Sequence, residues 1–323
     1  MRFFTLLAAF LMLAMAPAAA AQEKTVRLGY FPNLTHAQAL IAQNMAAEGQ
    51  GWFESRVPGV TIEWQPFNAG PSAMESLFAG AVDLSYVGPN PVLNAYVRSK
   101  GGVRVVSGAV RGGAGLVVPQ ASALSEPASF KDKTIATPQL GNTQDIACRS
   151  WLTQGGLKVT MTGGDASIIP TANPVILSLF IQGQVDAAWT VEPWLSRLEM
   201  EGGGKLIYAE PAETSITTVL SVSEEYAQAE PELVAALAAA HRELTEWIVH
   251  NPAEAQKRVA DELTKQMHMR QSFPLTLVEH AWPRLVFDNA ISRENFQFAL
   301  EAARDAGFIK GEHDLGKLVE SVD

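Results

Sequence analysis

Short runs of β-branched and aromatic residues alternate with helically spaced stretches along most of the chain. Strands are predicted over 26–30, 60–64, 82–87, 103–110, 116–118, 134–137, 166–169 and 185–189, with turn residues or helical stretches between them. Strands separated in this way are the pattern of βαβ units, which wind a parallel sheet and place helices on its faces. After one more strand at 216–222 the period changes. From Pro231 onward Leu233, Leu237, Ala240, Leu244 and Ile248 recur on one helical face, and further helices are predicted over 252–263 and 293–308.

One internal echo bears on architecture. SLFAGAVDLSYVGP, from Ser76, resembles SLFIQGQVDAAWTVEP, from Ser178. Each reads as a helix end, a glycine stop, a buried strand and a proline-opened helix, which suits two lobes built alike. Length agrees, because 323 residues exceed what one hydrophobic core usually serves.

The N-terminal MRFFTLLAAFLMLAMAPAAAAQ sets Arg2 before an apolar run and a string of alanines. About 14 apolar residues fall short of the ~20 that span a bilayer, and small residues come next, so a secretory signal cleaved after Ala21 is expected, with periplasmic export. Hydrophobic residues make up 47% and charged ones 18%, the composition of a packed protein. A net charge of −10 offers no basic patch for nucleic acid or an anionic membrane. A single cysteine, Cys148, excludes an intramolecular disulfide, a CxxC metal site and a dithiol redox pair. His241, His250, His268, His280 and His313 lack metal-ligand spacing, so no metal is expected.

Candidate chemistry lies in the turns at the strand ends: FPNLTHAQ, NAGPSAME, GPNPVLN, QLGNTQD, TANPVIL and VEPWLSR. In each, small polar residues or glycine precede a helix, and Pro71, Pro91, Pro174 and Pro193 stand where proline opens one best. Asn142 with Asp145 resembles a capping box. In a parallel sheet all such turns lie at the carboxyl edge, where α/β proteins bind ligands. A helix start offers unpaired N–H groups and about half an elementary positive charge, so several converging on one cleft make an anion site. Arg197 is the single Lys or Arg in these turns. A phosphate monoester usually recruits arginine, whereas a permanently ionised sulfonate can be held by neutral donors.

From Arg27 to about Phe308 the chain resembles the substrate-binding proteins of nitrate, taurine and alkanesulfonate ABC transporters, most of all the alkanesulfonate branch. The stretches that carry the likeness are GYFPNLTHAQALIA, FNAGPSAMESLFAGAVDLSYVGPNP, ATPQLGNTQDIACRSWL and VDAAWTVEPW. The resemblance implies an α/β type II periplasmic binding fold, two lobes joined by two crossing strands with ligand between them. Mapped here, residues 22–111 and 209–323 form the first lobe and 112–208 the second, after the 1–21 signal. It also implies ligand contacts at Asn33, Thr35, His36, Ser72, Gly88, Asn90, Asn142, Thr143, Gln144, Trp189 and Glu192. Trp189 is expected to wall a ligand tail and Glu192 to pair with a cationic one, although Tyr86 and Trp189 also end buried strands as core aromatics do. The function implied is capture of a small anion, an aliphatic sulfonate first, by a monomer that delivers it to an inner-membrane permease, with no cofactor.

Nitrate, bicarbonate and taurine remain open as ligands of the same scaffold, as does a sensing role beside a membrane receptor. The architecture also serves thiamine-precursor synthases. The chain has no HExxH, GxSxG or P-loop, and RGGAGLVV does not match GxGxxG, so an enzyme is not expected.

Overall fold

The computed structural model of the chain describes residues 23–319. The expected leader, including Arg2 and Ala21, lies outside these residues. The elements run in order as β1 (Lys24–Tyr30), α1 (Ala37–Ala47), α2 (Trp52–Arg56), β2 (Val60–Pro66), α3 (Gly70–Phe78), β3 (Leu84–Val87), α4 (Pro89–Ser99) and β4 (Val103–Gly112). Next come β5 (Ala114–Pro119), β6 (Thr134–Thr137), α5 (Thr143–Gln154), a small hairpin of β7 (Val159–Thr160) and β8 (Gly163–Gly164), β9 (Ser167–Pro170), α6 (Asn173–Ile181), β10 (Ala187–Val191), α7 (Trp194–Met200) and β11 (Gly204–Ala209). The last part is β12 (Ile216–Ser223), α8 (Glu224–Ala229), α9 (Pro231–His250), α10 (Pro252–Gln266), α11 (Leu275–Ala281), β13 (Leu285–Phe287) and α12 (Arg293–Asp305).

Two mixed sheets result. The first has the order β13-β4-β12-β3-β1-β2, with β1 parallel to β2 and β3 and with β12 antiparallel to β3 and β4. The second has the order β11-β5-β10-β6-β9, with β6 parallel to β9 and β10 and with β5 antiparallel to β10 and β11. The chain passes from the first sheet to the second between β4 and β5, and returns between β11 and β12. Gly112 and Gly113 make the outward passage at φ +68° and +67°. A Cβ at 112 would stand 2.6 Å from the Arg284 carbonyl oxygen and one at 113 would stand 2.3 Å from a Leu285 methyl, so glycine is required on both counts.

The repeated segment folds the same way in each sheet. Gly80 and Gly183 end α3 and α6 at φ +65° and +66°. Asp83 then accepts a hydrogen bond from the Arg27 amide at 2.8 Å, and Asp186 accepts one from the Thr134 amide at 2.8 Å. Each aspartate therefore ties the incoming strand to its parallel neighbour. The predicted helical face of α9 packs inward, with Leu237, Leu244 and Ile248 fully buried in the core behind β1. Each such side chain contributes roughly 1.5–3 kcal/mol.

Among the elements that escaped the sequence pattern are β11, β13 and α11. β11 is an edge strand, half-buried for most of its length, and shows no clean alternation. β13 has three residues and pairs only with the end of β4.

Candidate functional site

Five helical starts converge where the two sheets face each other. The turn after β1 supplies Phe31, Asn33, Thr35 and His36, the start of α3 supplies Asn68 to Gly70, and the start of α4 supplies Gly88 and Pro91. From the second sheet come Asn142, Thr143 and Gln144 at the start of α5 and Asn173 at the start of α6. Pro138 after β6, Thr217 on β12 and Val191 at the end of β10 complete the wall of a cavity of about 20 Å³.

The polar groups are oriented by their own internal bonds. Asn33 Oδ1 accepts from Trp194 Nε1 at 2.9 Å, and Asn173 Oδ1 accepts from the Thr190 hydroxyl at 2.5 Å. Asn142 Oδ1 caps α5 by accepting from the Asp145 amide at 2.8 Å, while its Nδ2 donates to Gln144 Oε1 at 3.2 Å. With these carbonyl oxygens engaged, the NH₂ groups of Asn33, Asn173 and Gln144 remain as donors. The first N–H groups of α5, at Thr143 and Gln144, have no acceptor within their helix. Thr143 Oγ1 is buried without a hydrogen-bond partner among the described residues.

His36 joins this set as a neutral donor. Its Nδ1 accepts from the Phe31 amide at 3.3 Å, which leaves the proton of the neutral ring on Nε2. Burial pushes its pKa from 6.5 down to about 3, so the ring stays uncharged at physiological pH. No Lys, Arg, Asp or Glu side chain lines the cavity among the described residues. The arrangement can hold an anion through hydrogen bonds and helix dipoles.

Arg149, the cation nearest in sequence to Asn142, is spent elsewhere. It forms a buried pair with Asp145 at 3.0 Å and donates to the Thr160 carbonyl at 2.5 Å. The Asp145 carboxylate also accepts from the Gly141 amide and the Thr137 hydroxyl, so it does not return a bond to the Asn142 amide as a complete capping box would.

Of the residues singled out in the sequence, Asn33, Thr35, His36, Gly88, Asn142, Thr143 and Gln144 meet at this cavity, and four do not. The Ser72 hydroxyl turns back to the Ala69 carbonyl at 2.9 Å within its own helix start. Asn90 donates to the Ala299 carbonyl at 2.8 Å and so fastens α12 to α4. Trp189 is 1% exposed, packs on Trp151 and Tyr208, and donates from Nε1 to Glu210 at 2.7 Å. Its ring points into the face of the second sheet that α5 covers, whereas the cavity lies at the sheet's edge.

Glu192 is fully buried, and its carboxylate is occupied by Arg284 Nη1 at 2.8 Å and by the Ser196 hydroxyl and amide at 3.0 and 3.1 Å. It joins the two sheets as a structural ion pair and has no free oxygen for a ligand ammonium. Asn68, Gly70, Asn173 and Thr217 are cavity residues that the sequence reading passed over. The first three stand in turns already recognised, as Asn or Gly beside a helix-opening proline, so the signal was present. Thr217 lies on the returning strand and carried none.

Outside the cavity, and sharing Asn33, Asn68 and Asn173 with it, opens a chamber of about 410 Å³. Phe67, Gln266, Met267 and Met269 wall it from the first sheet's side, and Pro174, Trp194 and Arg197 from the second's. Met267 packs against the cores of both sheets.

Comparison with known proteins bears on the fold and the family. The taurine-binding periplasmic protein of Escherichia coli is 25% identical over 251 residues, covering 77% of this chain and 72% of that protein. A putative aliphatic sulfonates-binding protein of Bacillus subtilis is 26% identical over 198 residues, 58% of this chain and 53% of that one. The solved structure of the alkanesulfonate-binding protein from Xanthomonas axonopodis pv. citri, bound to MOPS, matches with a TM-score of 0.71 at 23% identity, covering 88% of this chain and 93% of that one. The periplasmic nitrate-binding protein from Synechocystis matches with a TM-score of 0.68 at 16% identity, covering 88% and 82%. The fold is thus that of the periplasmic binding proteins. Residues 19–263 match the model of the NMT1-like family, and the chain belongs to that family.

Proposed function

We propose that this chain is the periplasmic solute-capturing component of an ABC importer and that it takes a small organic anion, an aliphatic sulfonate first, between two lobes. The observation that carries this reading is the cavity itself, where neutral donors and helix starts converge with no Lys or Arg among the described residues. A sulfonate is ionised at every physiological pH and needs no proton-matching partner, whereas a phosphate monoester changes charge near neutrality and favours arginine. Asn33, Thr35, His36, Asn142, Thr143, Gln144 and Asn173 hold the head group, and Gly88 lets the two walls meet around it.

Residues 22–111 and 209–323 move as one lobe and 112–208 as the other, hinged at the two passages between the sheets. The protein acts as a monomer, is exported by its N-terminal leader, and hands its ligand to a membrane permease. The names of its relatives support transport, since they are binding proteins.

The test is calorimetry on the leader-free protein with methanesulfonate, ethanesulfonate, taurine, nitrate, sulfate and phosphate. Sulfonates are expected to bind and phosphate to bind at least tenfold more weakly. Nitrate binding tightest of all would remove the sulfonate reading and leave the family. Small-angle scattering with a saturating ligand is expected to show a smaller radius of gyration, and identical curves would remove the hinge.

A further inference from the structure

The outer chamber differs in chemistry from the cavity it adjoins. Its volume of about 410 Å³ falls within the range of small-molecule pockets. Its walls hold two aromatic rings, Phe67 and Trp194, and two thioethers, Met267 and Met269, which adapt to the shape of an apolar guest. Trp194 is fixed from the inner side by its bond to Asn33. Among the described residues Arg197 is the single cation on the chamber wall, with its guanidinium carbon 5.0 Å from the centre of the Trp194 ring. Glu201 holds Nε at 3.0 Å and Nη2 at 2.8 Å, while Nη1 has no hydrogen-bond partner among the described residues. No acidic side chain lines the chamber among the described residues.

We infer that, within the sulfonate class, the chamber takes a flat apolar tail, an aromatic one above a simple alkyl one, which narrows the aliphatic preference stated above, and that Arg197 reads an oxygen acceptor at the far end of that tail. The inference rests on the head-group reading above and extends it to the substrate class. A tail placed here touches walls from both sheets, so it is gripped when the cleft shuts and contributes to selectivity. An ammonium tail such as that of taurine meets Arg197 and no carboxylate on the chamber wall, because Glu192 is buried in its own ion pair and Glu201 is engaged by Arg197. A carboxylate or nitro oxygen meets the free Nη1 instead. Selectivity of this kind comes from the mismatched charge as much as from the matched one.

The experiment is calorimetry with methanesulfonate, butanesulfonate, benzenesulfonate, 4-sulfobenzoate and taurine on the leader-free protein and on Met269→Asp and Arg197→Gln. Methanesulfonate has no tail and reports on the inner cavity alone, so its failure to bind would overturn the head-group reading and the tail with it. Given methanesulfonate binding, benzenesulfonate is expected to bind at least tenfold tighter, and butanesulfonate by up to about fourfold per added methylene but short of the aromatic. 4-Sulfobenzoate is expected to exceed benzenesulfonate by about threefold, as one charge-assisted hydrogen bond at a solvated site allows, and to lose that excess in Arg197→Gln. In Met269→Asp the ratio of benzenesulfonate to methanesulfonate affinity is expected to fall at least fivefold. Equal binding of methanesulfonate and benzenesulfonate, taurine above benzenesulfonate, or an unchanged ratio in Met269→Asp would overturn the tail inference while the head-group reading stands.

Discussion

The inner cavity and the outer chamber share three asparagine walls and have opposite characters. The cavity, of about 20 Å³, is built from backbone, hydroxyl and amide donors fixed by their own hydrogen bonds. The chamber, of about 410 Å³, is built from rings and thioethers with one cation. A small, pre-oriented polar site discriminates by geometry, because any group that fails to meet its donors leaves them unpaired. A larger apolar site discriminates weakly, by area and by the sign of one charge. The head group should therefore be read strictly and the tail permissively.

The largest effect should come from closing the inner cavity. A Cβ on Gly88 would stand 2.2 Å from Thr143 Oγ1 and 3.5 Å from the Thr217 carbonyl oxygen, between the two sheets. Gly88 has an ordinary extended backbone, φ −73° and ψ 156°, so a side chain there does not strain the chain itself. Gly88→Val is expected to keep its circular dichroism spectrum and lose binding of every anion by about a thousandfold, or about 4 kcal/mol. A variant that binds normally would show that the walls do not meet around the ligand.

Thr143→Ala is expected to weaken head-group binding by about 1–3 kcal/mol, since a charged acceptor loses a donor in a dry site. The same variant should unfold at nearly the wild-type denaturant concentration, because that hydroxyl bonds nothing else in the fold. Calorimetry beside urea titration separates the two readouts. A large stability loss with unchanged affinity would make Thr143 a structural residue.

pH offers the next test, and affinity and stability should part company. The buried His36 ring stays neutral between pH 5.5 and 8, so head-group affinity is expected to be flat there. The buried histidines are expected to lower stability as pH falls, against an opposite slope from Glu210, whose carboxyl burial raises to about 7 and which therefore adds stability on acidification. The folded pKa of His36 is about 3, below its ordinary 6.5, because burial excludes the charged ring. Between those values the unfolded chain binds the proton and the folded one does not, so stability declines as pH drops through 6.5. The decline amounts to about 2 kcal/mol per ring at pH 5. His241, lowered to about 4 by burial and held between Tyr86 and the Gly108 carbonyl, adds a similar slope. Urea titrations at pH 7.5 and 5 should show His36→Gln losing about 2 kcal/mol less than the wild type over that interval. Anion affinity that climbed steeply below pH 6.5 would instead assign the head group to a protonated histidine.

The smallest expected effect is at Trp189. Trp189→Phe removes the donor to Glu210, whose carboxyl burial already pushes up to about 7, and should cost stability. Affinity should stay within twofold. A tenfold loss for tailed sulfonates alone would return Trp189 to the cleft.

The two compartments differed in legibility because they are encoded differently. The polar cavity is local in sequence: Asn33, Thr35 and His36 share one turn, and Asn142, Thr143 and Gln144 another. Capping requirements place such residues at helix starts, and parallel strands place those starts at one edge. Ser72 and Asn90 lie in turns of the same kind, yet their side chains bond within the first sheet's own helices. Position in a turn does not fix which way a side chain faces. Trp189 sits on a strand buried on both faces, where an aromatic residue is equally at home against a helix or near a cleft.

The chain's own pattern of strands, glycine stops and proline-opened helices determined two α/β sheets, their parallel cores and an edge rich in helix starts. Each of these arises from interactions within a few residues or between consecutive units. The echo from Ser76 and Ser178 is matched down to Asp83 and Asp186, which perform the same bond in each sheet. Tertiary structure alone decided the rest. Arg284 reaches Glu192 across 92 residues and withdraws it from the ligand. Met267 and Met269, on the segment after α10, come to face Trp194 and Arg197 on α7. Such pairings join segments distant in sequence, and nothing in local periodicity or capping chemistry constrains them; contact of helices across the two sheets, α11 with α7 and α12 with α5, does.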